Sequence, residues 1–308
     1  MATCSPEQVA IVSGVQEGLD LIGRLLLEPG DHVGVEDPGY PGAVAAFHAL
    51  GATVTSLRVD GDGVVPPAAK AGLPLIYATP GHQFPLGVTM GLSRRFELLD
   101  WARASGACIV EDDYDSEFRY HGRPVPALQG LDRHGVVIYA GSFSKVLFPS
   151  LRLGYLVVPA DLVERFAALK SVTSRHAPLL DQAVLCDFME AGHFGRHLRR
   201  MREIYAERRD ALCEGARTEL AEWLELDGIE AGLQTSGRLL RGISSEAAVR
   251  VAAERGVEVI SLGRYCRQRA PRHGVVVGFA AVEPREIRRG VRELASALRS
   301  ISRRRGRR

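Results

Sequence analysis

The sequence predicts an α/β protein: a mostly parallel sheet with helices on both faces, followed by a smaller C-terminal α+β domain. Three observations predict it. Apolar runs of strand length alternate with helical patterns from the start of the chain to about residue 160. The connections between them are short, which favours βαβ units and a helix-covered parallel sheet. Beyond that point the pattern turns helical, and from about residue 210 short strand-like runs return among helices. A chain of 308 residues has room for a large and a small domain with a sizeable core. The expected division is 1–205 for the large domain, 206–298 for the small one and 299–308 for a basic tail.

In order, "QVAIVSG" reads as a strand entering the helix "VQEGLDLIGRLLL", where Leu19, Ile22 and Leu26 recur at helical spacing. "DHVGVEDPGYPG" is a short strand ending in a turn, "AVAAFHALG" a helix closed by Gly51, and "ATVTSLRV" the next strand. "LPLIYATP", "ACIVEDDYD", "GVVIYAGSFSK" and "GYLVVP" are strands, with "SRRFELLDWARASG" a helix between the first two. The stretch from Ser174 to Ala216 reads as two helices, the second long and basic. In the C-terminal region "GVEVISL" and "GVVVGFA" are strand-like, and "PREIRRGVRELASALRSI" is a final helix.

Composition excludes several classes. Hydrophobic residues are 46% and charged residues 25%, with a net charge of only +2, so neither nucleic acid nor an anionic membrane is indicated as a partner. The exception is the end of the chain, "RRRGRR", read as a solvated tail. Five scattered cysteines without a CxxC pair fit reduced thiols and no metal site. No run reaches membrane-span length and no signal peptide opens the chain, which gives a cytoplasmic expectation.

The polar clusters fall at strand ends, where ligands of such sheets sit. Lys145 follows the apolar run "VVIYA", with Ser142 and Ser144 before it and Arg152 after it. Hydroxyls and a guanidinium fork are what a phosphate needs, and a lysine beside a phosphate suits Schiff-base chemistry. Gly14 opens a helix whose free N–H groups suit an anion; taken alone, a Ser-Gly turn there is a cap. Asp112 and Tyr114 end an apolar strand, where a carboxylate calls for a partner such as a protonated pyridine nitrogen. Two residues apart, they are expected to point the same way. Taken alone, "EDDYD" reads equally as a metal site or a solvated acidic turn. Tyr40, in "EDPGYPG", can stack on a planar ring or simply pack its turn.

Together the blocks "EDPGYPGA", "TPGHQFPLGVTM", "EDDYDSEFRY", "GSFSKVLFPSLRLGY" and "GHFGRHLRRMREIYAERRDAL" resemble pyridoxal-phosphate enzymes of the aspartate aminotransferase fold, fold type I. The closer resemblance, from about Pro6 to about Leu298, is to the aminotransferase-like domain of MocR/GabR regulators in the GntR superfamily. It implies pyridoxal 5'-phosphate as cofactor, with Lys145 as its Schiff-base lysine. Asp112 would meet the pyridine nitrogen, Tyr114 the ring hydroxyl, and Tyr40 the ring face. Ser142, Ser144 and Arg152, with Gly14, Val15 and Gln16, would hold the phosphate. The same resemblance implies a homodimer acting on or sensing an amino acid or amine, and nucleic-acid contact only in a longer parent with a winged helix-turn-helix.

Three departures accompany it. The chain reads as N-terminally truncated, without that winged domain or the opening segment of the aminotransferase domain. Val276 stands where such enzymes often carry the arginine for a substrate carboxylate; Arg238, Arg241 and Arg264 are the candidate replacements. The asparagine usual before "PTG" is replaced in "HQFPLG", leaving His82 or Gln83 for its role, or His82 as a packed loop residue.

Overall fold

The structure, a computed structural model, describes residues 2–68, 70–122, 125–226, 228–268 and 273–305, with side chains through Ile301. The strands are β1 (Val9–Val12), β2 (His32–Asp37), β3 (Thr53–Asp60), β4 (Gly63–Val64), β5 (Leu75–Ala78), β6 (Cys108–Asp113), β7 (Val137–Ser142), β8 (Gly154–Val157), β9 (Leu224–Leu226), β10 (Gln234–Leu239), β11 (Ile260–Ser261) and β12 (Gly274–Gly278). The helices are α1 (Val15–Leu26), α2 (Pro41–Ala49), α3 (Leu92–Ser105), α4 (Leu128–Leu131), α5 (Phe143–Val146), α6 (Val163–Thr173), α7 (Leu179–Glu190), α8 (His193–Gly215), α9 (Ser245–Ala253) and α10 (Pro284–Arg305).

The chain divides into two compact units. The first is Met1–Phe84, Val88–Ser116 and Arg123–Arg196; the second is Pro85–Gly87, Glu117–Gly122 and His197–Arg308. The first unit holds an eight-stranded sheet in the order β1-β8-β7-β6-β5-β2-β3-β4. Its middle, β7-β6-β5-β2-β3, is parallel, whereas β8 runs antiparallel to both its neighbours and β4 antiparallel to β3. Helices cover both faces, as alternation along the central strands shows. Leu75 and Tyr77 of β5 and Val110 of β6 pack with Leu19, Ile22 and Phe47 of α1 and α2. Ile76, Ala78 and Ile109 pack the other way, with Leu98, Trp101 and Ala102 of α3. All four β5 side chains are fully buried, so this strand is apolar on both faces, as a central parallel strand must be. Each aliphatic side chain so buried contributes roughly 1.5–3 kcal/mol.

The second unit has a four-stranded sheet, β11-β12-β10-β9, antiparallel throughout. Its core gathers Leu212, Trp223, Val275, Phe279, Val291 and Leu298. Residues 117–122 belong to it because Tyr120 N–H bonds Glu230 O and Gly232 N–H bonds Phe118 O.

Two sequence expectations need adjusting here. "GVEVISL" supplies only the two-residue β11. Gly256 at φ 68° ends the α9 region, Val257 N–H returns to Ala252 O, and Val259 points into the core instead of entering the ladder. At the C-terminus α10 continues to Arg305, so residues 299–305 are helical where the sequence suggested a tail; 306–308 lie outside the described residues. Among the described residues, no helix is long and apolar enough to cross a membrane.

Candidate active site

The register of the sheet explains why distant residues meet. Because β8 returns antiparallel to β7, both ends of the β7–β8 connection lie at the carboxyl end of β7, where Ser142 pairs with Gly154. Because β1 is antiparallel to β8, Val12 also pairs with Gly154, which brings Ser13 and Gly14 to that same end. The approach is close. A Cβ on Gly154 would sit 3.0 Å from Gly141 O and 3.1 Å from Gly14 Cα. Gly14, at φ 136°, occupies a backbone region that other residues avoid, and a Cβ there would lie 3.6 Å from Arg152 Nη1. Arg152 itself is left-handed at φ 53°.

Gly14 is the N-cap of α1 and has no side chain to cap with, so the first N–H groups, of Val15 and Gln16, lack a capping side chain from it. Gln16 Nε2 reaches across to Gly42 O of α2, 3.2 Å away. Ser142 caps the short helix α5, its Oγ accepting from Ser144 N–H at 3.2 Å, and Lys145 stands exposed one residue further on. Gly14, Arg152 and Ser142, with Ser144 bonded to Ser142, thus gather at one end of the sheet as a polar cup.

One strand over, Asp112 pairs with Ala140, two residues before Ser142. Its side chain is 5% exposed. Tyr77, from the next strand, donates its hydroxyl to Asp112 Oδ2 at 2.5 Å, while Oδ1 is buried with no hydrogen-bond partner. Burial pushes the Asp112 carboxyl up to about 7, against the pull of the Tyr77 hydrogen bond. From Tyr77 a run of rings continues. Tyr40 lies 6.3 Å from Tyr77, Phe84 meets Tyr40 edge-on at 5.9 Å, and Tyr114 meets Phe84 edge-on at 6.1 Å. Tyr40 and Tyr114 therefore belong to the surroundings of Asp112.

Tyr114 lies one residue beyond β6, so the expected strand alternation does not orient it. Its hydroxyl is 3.0 Å from His82 Nδ1, which in turn is 2.8 Å from Asp115 Oδ2. The acidic residues of "EDDYD" do not form a solvated turn: they are shared among separate partners. Glu111 accepts from the N–H groups of Leu128 and Gln129 and faces the buried Arg95 at 3.5 Å. Asp113 accepts from the hydroxyls of Tyr139 and Ser116. No group of acidic, histidine or cysteine residues is placed to hold a metal among the described residues.

Of the two candidates for the replaced asparagine, Gln83 is engaged in the loop itself. Its Nε2 donates to Pro38 O, Phe84 O and Glu36 Oε2. Glu36, fully enclosed and pushed by burial up to about 7, also accepts from the Thr79 hydroxyl at 2.6 Å. Arg238 and Arg241 pair with Glu225 and Glu222, and Val276 is a buried β12 residue opposite Ser236 and Ile260. Sequence reasoning missed Tyr77, Glu36 and Asp115. A detectable signal existed for Tyr77: a buried strand has no use for a phenol unless its hydroxyl has a partner.

The family model for aminotransferase class I and II matches residues 2–294. The chain belongs to the class I and II aminotransferase family. Within it, the chain is 43% identical to the probable rhizopine catabolism regulatory protein MocR of Rhizobium meliloti, over 96% of this chain and 60% of that protein. It therefore spans about 60% of the length of this regulator. Among solved structures, the kynurenine aminotransferase of Pyrococcus horikoshii superposes with a TM-score of 0.87 at 30% identity, covering 95% of this chain and 75% of that one. LysN, the α-aminoadipate aminotransferase of Thermus thermophilus, solved with N-(5'-phosphopyridoxyl)-L-leucine, gives 0.86 at 29% identity, covering 96% and 78%. This member of the family has the fold type I architecture of pyridoxal-phosphate-dependent transferases.

Proposed function

We propose that this family member binds pyridoxal phosphate covalently through Lys145 and uses it to act on, or sense, an amino acid or amine. The observation that carries the reading is Asp112. A buried carboxylate with one oxygen held by Tyr77 and the other without a partner fits a cationic N–H donor such as a pyridinium. The polar cup fits the rest of the group. Gly14 keeps the approach to Arg152 open, and Arg152, the hydroxyls of Ser142 and Ser144, and the N–H groups of Val15 and Gln16 suit a phosphate dianion.

Bound there, pyridoxal phosphate would supply an aldehyde that condenses with amines and a cationic ring that draws electrons from the adjacent carbon. The chain's own residues do the remainder. Lys145 Nζ would hold the group and, when free, would be the base that moves a proton at the substrate carbon. Asp112 Oδ1 would accept from the ring nitrogen and keep it protonated. Tyr40 covers the ring, and Tyr114 serves the ring hydroxyl. Incubation with the cofactor followed by borohydride reduction is expected to leave a phosphopyridoxyl group on the Lys145 peptide. A colourless protein, or label on another lysine, overturns the reading.

Sensing is the second reading, favoured by Val276. The position expected to carry a carboxylate-binding arginine is apolar and buried, and Arg238 and Arg241 already face carboxylates. The 43% identity to a regulator points the same way. In this reading the chain is the effector domain of a longer MocR-type parent, with DNA contact made by a separate winged domain. Cytoplasmic location and a homodimer belong to the same proposal. Leu179 and Leu180 on α7, 63% and 76% exposed, offer apolar surface for a second copy. Mixing the loaded protein with common amino acids separates the readings: release of the oxo acid marks an enzyme, and a spectral shift without it marks a sensor.

A further inference from the structure

Asp115, His82 and Tyr114 form a chain of polar contacts to which the proposed function gives only its last member a task. Asp115 is 1% exposed and His82 5%. A single atom, His82 Nδ1, lies 2.8 Å from Asp115 Oδ2 and 3.0 Å from the Tyr114 hydroxyl. The His82 and Tyr114 rings lie 5.9 Å apart, and Phe84 packs edge-on against Tyr114, which fixes the arrangement.

An imidazole nitrogen carries either a proton or a lone pair, and its partner decides which. An ionised aspartate only accepts. Asp115 Oδ1 is buried without a hydrogen-bond partner, so His82 Nδ1, against Oδ2, is the partner the site offers its carboxylate. Nδ1 therefore carries a proton and directs it at Asp115. That leaves no lone pair on Nδ1 for Tyr114. The phenol oxygen lies beside an N–H as an acceptor, and its own proton is left over for a ligand. Burial, with the carboxylates of Asp115 and Asp112, holds the Tyr114 hydroxyl well above its ordinary acidity range, so it keeps that proton at neutral pH.

We infer that Asp115 and His82 are positioning residues that fix Tyr114 as a hydrogen-bond donor toward an anionic oxygen on the ligand. The inference rests on the pyridoxal-phosphate reading, in which that oxygen is the cofactor's ring oxygen. Gln83, the other candidate beside His82, cannot take this part because its amide nitrogen is spent within the loop.

The first arm of the test needs no cofactor. Nitrogen NMR of the histidine side chains, at mildly alkaline pH, is expected to show a proton on His82 Nδ1. A bare Nδ1 overturns the inference whether or not Lys145 takes the cofactor, so its failure is distinguishable from failure of the site assignment. The second arm compares visible spectra of the pyridoxal-phosphate-loaded protein. Tyr114→Phe removes the donor and defines the full change in the ratio of long- to short-wavelength bands. Asp115→Ala frees Nδ1 to accept the Tyr114 proton, and should move that ratio at least half-way to the Tyr114→Phe value. Asp115→Asn keeps an oxygen for the Nδ1 proton and should retain the parent ratio. A parent-like ratio in Asp115→Ala, beside a changed one in Tyr114→Phe, overturns the inference. Should Asp115→Ala not fold, the Nδ1 proton in the parent and in Asp115→Asn decides.

Discussion

Asp112 shows how a single residue can record both a cost and a use. Burial pushes its carboxyl up to about 7 from an ordinary 3.8. Between those two pH values the folded chain binds more protons than the unfolded one, so stability falls as pH rises across that window. The cofactor-free protein is therefore expected to lose on the order of a few kcal/mol from pH 5 to pH 7.5. Chemical denaturation at several pH values measures this. Asp112→Asn should flatten the slope without abolishing it, since Glu36 is pushed up to about 7 by the same cause. An unchanged slope in the variant would remove Asp112 from the account. On the proposed reading, bound pyridoxal phosphate would give Asp112 a cationic partner, and its share of the slope should vanish.

At the scale of elements, the polar cup depends on how closely β1, β7 and β8 approach. Gly154→Ala would place a methyl group 3.0 Å from Gly141 O and 3.1 Å from Gly14 Cα, both backbone atoms that cannot swing aside. The expected cost is about 1–3 kcal/mol of stability, with weaker cofactor binding, measured by denaturant melts and by titration of the visible band. Gly91→Ala, where a Cβ meets nothing within 4 Å, is the control and should leave the cofactor titration unchanged. Much of this layer was legible in the sequence. The central strands announced themselves as apolar runs, and the sequence put the lysine, serines and arginine close together around one strand end. Strand direction was not legible. Nothing in "GYLVVP" says that it returns antiparallel, yet that reversal puts Lys145 and Arg152 at one end of the sheet. Contacts made across strands were equally hidden. Asp112 was readable as a carboxylate in need of a partner, but its Tyr77 neighbour comes from a strand 35 residues earlier. His82 stayed ambiguous because its role depends on Asp115, which the chain alone does not place beside it.

For the whole molecule, every residue assigned to the cofactor lies in the first of the two units. Ligand binding stabilises the folded form by about 2.7 kcal/mol at a hundredfold excess over the dissociation constant. Pyridoxal phosphate at that excess should therefore raise the melting temperature by a few degrees, and hydrogen exchange should slow first at Gly14–Gln16, Asp112–Tyr114 and Ser142–Lys145. Lys145→Ala should lose much of the thermal shift. Protection confined to the second unit would contradict the assignment.

The position of β1 at the sheet's edge has a consequence for assembly. β1 precedes the other strands of its sheet in the sequence, yet among the described residues its ladder partner is β8, the last of them. Closing so long a loop is slow compared with pairing neighbours in sequence. The anion cup, which needs Gly14 beside Arg152, can exist only after that closure. On the proposed reading, capture of the cofactor would wait on that closure. In refolding from denaturant, far-ultraviolet ellipticity should recover first and the visible band only later, at a rate that excess cofactor does not accelerate. Pyridoxal phosphate would then load only onto chains in which β1 has already docked against β8.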